Sequence, residues 1–137
     1  MDTEKGKLKP IQNVVTQPKG AALQVTTADL HLTPDARFLY VSNRDITKRR
    51  APRGKDSIVG FRVDAQTGKL TLTGHFPCER IPRSFTIDKL GKYVYVAGQG
   101  DGKLGAYRIE PTGQLKKIKQ YEVGNGPNWV ETLSLVK

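Results

Sequence analysis

The sequence predicts an all-β fold built from a repeated four-stranded unit. Three observations carry that expectation. No stretch holds the 3.6-residue apolar periodicity of a long helix. Short runs rich in Val, Ile, Phe and Tyr alternate instead with turns rich in Gly, Pro and Asp. The runs also recur: residues 30–43 (LHLTPDARFLYVSN) align with 85–98 (FTIDKLGKYVYVAG), and 57–70 (SIVGFRVDAQTGKL) with 103–115 (KLGAYRIEPTGQL).

Taken in order, residues 8–15 read as the outer strand of a preceding unit. The first complete unit has strands near 27–33, 37–42, 57–63 and 70–76; the second has them near 84–88, 93–98, 103–109 and 115–122. Residues 128–135 read as the inner strand of a following unit. The second strand of each unit, Phe38-Leu39-Tyr40-Val41 and Tyr93-Val94-Tyr95-Val96, is apolar on both parities, which suits a sheet covered on both faces. Thr67-Gly68 and Thr112-Gly113 supply the positive-φ glycine of a tight hairpin. These two glycines lie 45 residues apart, matching the ~40–45-residue period of four-stranded propeller blades. The Gly-x-Leu element occurs once more, at Gly6-Lys7-Leu8, and that first interval is lengthened by the insert ITKRRAPRGK at 46–55. The pattern therefore predicts a single partial β-propeller domain over 1–137: antiparallel blades at about 27–76 and 84–122, plus an orphan strand at each end. A propeller ring closes with about 4–8 blades, so two read as a portion of a larger wheel. An open stack leaves faces and edges that invite association, here with the missing blades or edge to edge.

Composition narrows the partners. The formal charge is +10, from 23 Lys and Arg against 13 acids, which favours anions without choosing among phosphorylated metabolites, nucleic acid and acidic membrane. Cys78 is the lone cysteine and His31 and His75 the only histidines, so neither a disulfide nor an obvious metal cluster is expected. The first ten residues hold no apolar signal core, and nothing approaches the ~20 apolar residues of a membrane span. A soluble, cytoplasmic protein without membrane contact is the expectation. The insert has five cations and no aromatics; it reads as a solvated loop, with a phosphate clamp as the rival. Its Pro and Gly argue against a basic recognition helix, and nucleic acid is not expected as a partner. The glycines of Gly98-Gln99-Gly100-Asp101-Gly102 precede no helix and read as a hairpin turn.

Several motifs together resemble one family. Residues 28–35 (ADLHLTPD) resemble the A-D-I-H-(I/L)-(S/T)-P-D strand of lactonase-type seven-bladed propellers, which include the bacterial propeller form of 6-phosphogluconolactonase and the fungal carboxymuconate lactonizing enzymes. Tyr40-Val41-Ser42-Asn43-Arg44 is similar to the family's L-Y-x-S-N-R strand end, and Ile81-Pro82-Arg83-Ser84-Phe85 to its x-P-R-x-F blade entry. Gly124-Asn125-Gly126-Pro127-Asn128-Trp129-Val130 is similar to the closing G-x-G-P-x-W-V segment, and Gly6 to Val15 to the strand before the A-D-I-H blade. The resemblance runs in order through essentially all 137 residues and corresponds to the C-terminal two-fifths or so of a family member. The blades carrying the family's P-R-H and N-E motifs have no counterpart here, and the insert replaces a short turn after S-N-R.

The resemblance implies hydrolytic opening of a lactone, 6-phosphoglucono-δ-lactone first, with no cofactor. Such a reaction needs an activated water, a cation beside the developing oxyanion and a cationic seat for the phosphate. Arginine serves the last two because its planar fork stays charged and pairs bidentately with oxyanions. Arg44, where the family has an arginine facing the central cavity, is implied as an oxyanion or phosphate ligand, the alternative being a brace to a neighbouring blade. Arg83 is implied as a substrate ligand, against a loop-to-blade salt bridge. Asp29 and His31, two apart on one strand, point the same way. They read either as substrate-binding carboxylate and catalytic imidazole, or as structural inter-blade hydrogen-bonding groups. His75 reads as a surface residue, Cys78 as a structural thiol, and Trp129, Tyr93 and Tyr95 as blade packing. The rival to a hydrolase is a non-catalytic propeller portion or binding module.

Overall fold

The computed structural model describes residues 6–21, 24–46 and 56–135. Eight strands follow in chain order: β1 (Val25–Leu32), β2 (Phe38–Asp45), β3 (Ser57–Val63), β4 (Leu70–Pro77), β5 (Pro82–Ile87), β6 (Tyr93–Gly98), β7 (Lys103–Ile109) and β8 (Leu115–Glu122). They form two four-stranded meanders, β1-β2-β3-β4 and β5-β6-β7-β8, antiparallel throughout. Among the described residues there is no helix, and so none able to cross a membrane. The insert's residues 47–55 lie outside the described residues.

The double-sided apolar strand β2 explains the packing. Phe38 and Tyr40 face the second sheet and, with Ile58, meet Phe85, Val94, Val96 and Tyr107 in the core between the sheets. Val41 faces the other way and joins Val59 and Phe61 in a second core, where Val14, Leu39 and Leu70 pack. A hydrogen bond ties the sheets together at this interface: Tyr40 Oη donates to the Gly113 carbonyl at 2.9 Å. Gly113 sits at φ 85°, and a Cβ there would run into the Phe38 ring.

The flanking segments 8–15 and 128–135 join no ladder; the one bridge nearby is at Lys7. A strand needs a neighbour to pair with, and none of the eight strands pairs with either segment. The first is fastened by side chains. The Gln12 carboxamide donates to Leu70 O at 3.1 Å and accepts from Leu70 N at 2.7 Å, imitating a strand edge. Asn43 Nδ2 donates to Thr16 O at 2.6 Å, and His75 Nε2 lies 3.0 Å from the same oxygen. His75 is thus half-buried and holds the leading segment, rather than standing free on the surface. At the other end, Val130 N donates to Ser84 Oγ and Thr132 Oγ1 to Ile87 O, both at 3.4 Å.

Candidate functional site

The innermost strand of each sheet is bulged, and both bulges open on one cleft. In β1, Thr27 pairs with Asn43 and Leu30 with Val41, so Ala28 and Asp29 together oppose Ser42. In β5, Pro82 pairs with Gly98 and Ser84 with Ala97, leaving Arg83 as the extra residue. A bulge kinks its strand and re-aims the side chain that has lost its ladder position. Ile81, just ahead of Arg83, adopts φ 52°, a conformation rare for a β-branched residue. It is held by Gln99 N to Ile81 O at 3.1 Å and Gly100 N to Arg80 O at 2.9 Å. The glycine-rich turn at 98–102 thereby braces the entry to β5.

The cleft has a volume of about 260 Å³ and is lined by Thr27, Ala28, Asp29, Arg44, Arg83, Asn128 and Trp129. Three of the four site residues expected from sequence therefore meet. Arg44, opposite Thr26 near the end of β2, has its Nε buried with no hydrogen-bond partner among the described residues. Among the described residues no salt bridge joins a carboxylate to Arg44 or Arg83. The local charge is two guanidiniums against one carboxylate, a field that draws anions.

That carboxylate is already engaged. Asp29 Oδ2 accepts from Phe85 N of the second sheet at 3.1 Å, Oδ1 accepts from Leu30 N at 2.9 Å, and Asp29 N donates to Ser42 Oγ at 3.1 Å. Asp29 both stitches the sheets together and lines the cleft. His31 is not among the lining residues. Its Nε2 lies 3.3 Å from Asp29 Oδ1 and its ring meets Phe85 edge-on, centroids 4.8 Å apart. The imidazole backs the carboxylate from the inter-sheet side.

Trp129, expected to pack between blades, also lines the cleft. Trp129 is 69% exposed, joins neither core and forms one wall of the cleft with Asn128. The available signal was the turn before it: Gly124 at φ 93°, Gly126 at φ 66° and then Pro127 redirect the chain toward the cleft. Cys78 is free, and burial, with the Glu79 and Asp56 carboxylates nearby, pushes its thiol well above the ordinary value.

Two consecutive four-stranded meanders sharing an apolar interface, with bulged inner strands around a basic cleft, define a protein of the propeller class. The family model described as "Lactonase, 7-bladed beta-propeller" matches residues 1–132, and the chain belongs to that family. It is 37% identical over 136 residues to a 6-phosphogluconolactonase of Pectobacterium carotovorum subsp. carotovorum, covering 98% of this chain and 38% of that protein. It is 36% identical over 125 residues to the 6-phosphogluconolactonase of Buchnera aphidicola, covering 90% and 35%. Among solved structures it is similar to the periplasmic gluconolactonase of Pseudomonas aeruginosa, with TM-score 0.76 and 31% identity over 88% of this chain and 32% of that one. A protein from Lactobacillus plantarum matches with TM-score 0.83 and 28% identity, covering 97% and 37%. The chain thus spans well under half the length of the relatives it matches.

Proposed function

We propose that the cleft serves hydrolysis of a phosphorylated sugar lactone, 6-phosphoglucono-δ-lactone, to 6-phosphogluconate. The observation that carries this reading is that two guanidiniums, Arg44 and Arg83, line one small cavity with a single carboxylate, Asp29, and form no ion pair among the described residues. Arg44 stabilises the carbonyl oxygen as charge develops, and Arg83 seats the phosphate. The water oxygen bonds to the carbonyl carbon, the ring C–O bond then breaks, and the ring oxygen takes up a proton. Water is the only co-reactant. Asp29 accepts a hydrogen bond from the water or a sugar hydroxyl, and His31, 3.3 Å behind it, acts as a positioning residue. Residues 1–137 form one partial propeller domain in this reading. Its outer apolar groups, Leu30, Leu32 and Leu72 on one sheet and Ile118 and Tyr121 on the other, associate with further blades. The substrate belongs to the pentose phosphate route of carbohydrate metabolism. As an ionic ester it does not cross membranes, which makes the cytoplasm the compartment proposed.

The test is hydrolysis of 6-phosphogluconolactone by the purified chain. The expected result is a rate above buffer that Arg44→Ala removes while the far-UV circular dichroism stays unchanged. A rate equal to buffer from a folded chain would overturn hydrolysis and favour the second reading, a binding module. That alternative is motivated by the chain's 38% coverage of its relative.

A further inference from the structure

We propose that Trp129 is a stacking platform for the ring of the ligand, with Asn128 hydrogen-bonding its hydroxyls, so that the cleft selects an anionic monosaccharide rather than an anion alone. The inference rests on reading the cleft as a phosphorylated-lactone site. Its own support is the placement of the indole. Trp129, 69% exposed, walls the same cavity as Arg44 and Arg83. Its position is set from both sides. Gly124 and Gly126, at φ 93° and 66°, turn the chain ahead of it, and Val130 N is fastened to Ser84 Oγ behind it.

The chemistry of the two walls is complementary to one kind of molecule. An indole presents a flat apolar face with a negative quadrupole, which attracts the slightly positive C–H bonds on the face of a sugar ring. The Arg83 guanidinium takes the phosphate at the ligand's charged end, and Arg44 faces its carbonyl end. Asn128 offers both a donor and an acceptor to hydroxyls between them. A cavity of about 260 Å³ has room for one ring and not for an oligosaccharide. Inorganic phosphate would occupy the arginines and leave the indole untouched.

Trp129 is the single tryptophan of the chain, so intrinsic fluorescence reports on it alone. The experiment titrates the protein with glucose 6-phosphate, a pyranose that keeps the ring and the phosphate without hydrolysing, and with inorganic phosphate, following emission and, in parallel, calorimetry. Saturable quenching or a shift with glucose 6-phosphate, and none with phosphate although phosphate competes, is expected. Trp129→Leu should weaken glucose 6-phosphate at least tenfold while leaving phosphate affinity within twofold, and Trp129→Phe should recover most of the loss. Wild-type affinity in Trp129→Leu, or unchanged emission at calorimetric saturation, would overturn the platform while leaving the anion site standing. If the wild-type chain binds neither phosphate nor glucose 6-phosphate, the platform and the reading beneath it fall together.

Discussion

The Tyr107 phenol donates a 2.7 Å hydrogen bond to Oε2 of Glu79, a carboxylate whose side chain is wholly buried. Its other oxygen lies 2.7 Å from Lys117 Nζ. Glu79 belongs to the short link from β4 to β5, and it occupies the space that a side chain at Gly105 would take. The link between the sheets is therefore fixed to the face of the second sheet by an ion pair and a charge-assisted hydrogen bond. Tyr107→Phe should lower stability by about 2 kcal/mol, since a buried carboxylate loses a donor. Urea unfolding followed by circular dichroism measures it, and a change under about 0.5 kcal/mol would contradict the role given to this pair.

Tyr40 and Tyr107 also predict alkaline sensitivity. Burial holds both phenols well above the ordinary value of 10.0, Tyr107 further through its hydrogen bond to Glu79 and Tyr40 through the Asp35 charge. Above that value the unfolded chain releases phenolic protons that the folded chain keeps, so stability falls as pH rises. The slope is up to about 1.4 kcal/mol per pH unit for each phenol. Urea midpoints at pH 9 and 11 should differ accordingly. Tyr40→Phe and Tyr107→Phe should each flatten the dependence.

Gly68 and Gly113 occupy matching hairpins with φ 69° and 85°, yet their surroundings differ. A Cβ at Gly113 meets the Phe38 ring, whereas at Gly68 the nearest atom is the end of the Ile11 side chain at 3.2 Å. Both alanine variants carry backbone strain of about 1 kcal/mol. Gly113→Ala should be more destabilising than Gly68→Ala by about a further 1–3 kcal/mol, because the inter-sheet core must also open. Equal urea midpoints for the two variants would contradict this packing.

Cys78 should behave as an inert thiol. Its raised pKa leaves little thiolate at pH 8. Labelling by a disulfide reagent is expected to be at least tenfold slower in the native protein than in urea, and equal rates would contradict the burial.

At the cleft, the fork of Arg44 should matter beyond its charge. Arg44→Lys keeps the cation and loses the planar donor pair, so the rate of 6-phosphogluconolactone hydrolysis should fall about tenfold. Arg44→Ala should lower it further. Undiminished rates in both variants would remove Arg44 from the site.

Much of the architecture is written locally. Alternation and turn residues sufficed for the two four-stranded units. The both-sided apolarity of Phe38 to Val41 announced that neighbours cover each face, because a strand's parity is a property of the chain itself. The shared direction of Asp29 and His31 was legible for the same reason. That Asp29 caps Phe85 N in the other sheet, with His31 behind it and off the cleft wall, was not. The bulges at Ala28-Asp29 and Arg83 exist only relative to a partner strand, so no single run of residues reveals them. The same holds for the unladdered ends, for His75 clamping Thr16, and for Trp129 on the cleft wall. Sequence by itself determined which segments are strands and how they repeat, since period and turn chemistry act over a few residues. Tertiary structure alone decided which side chains converge, because convergence depends on how two sheets pack and where their inner strands break register.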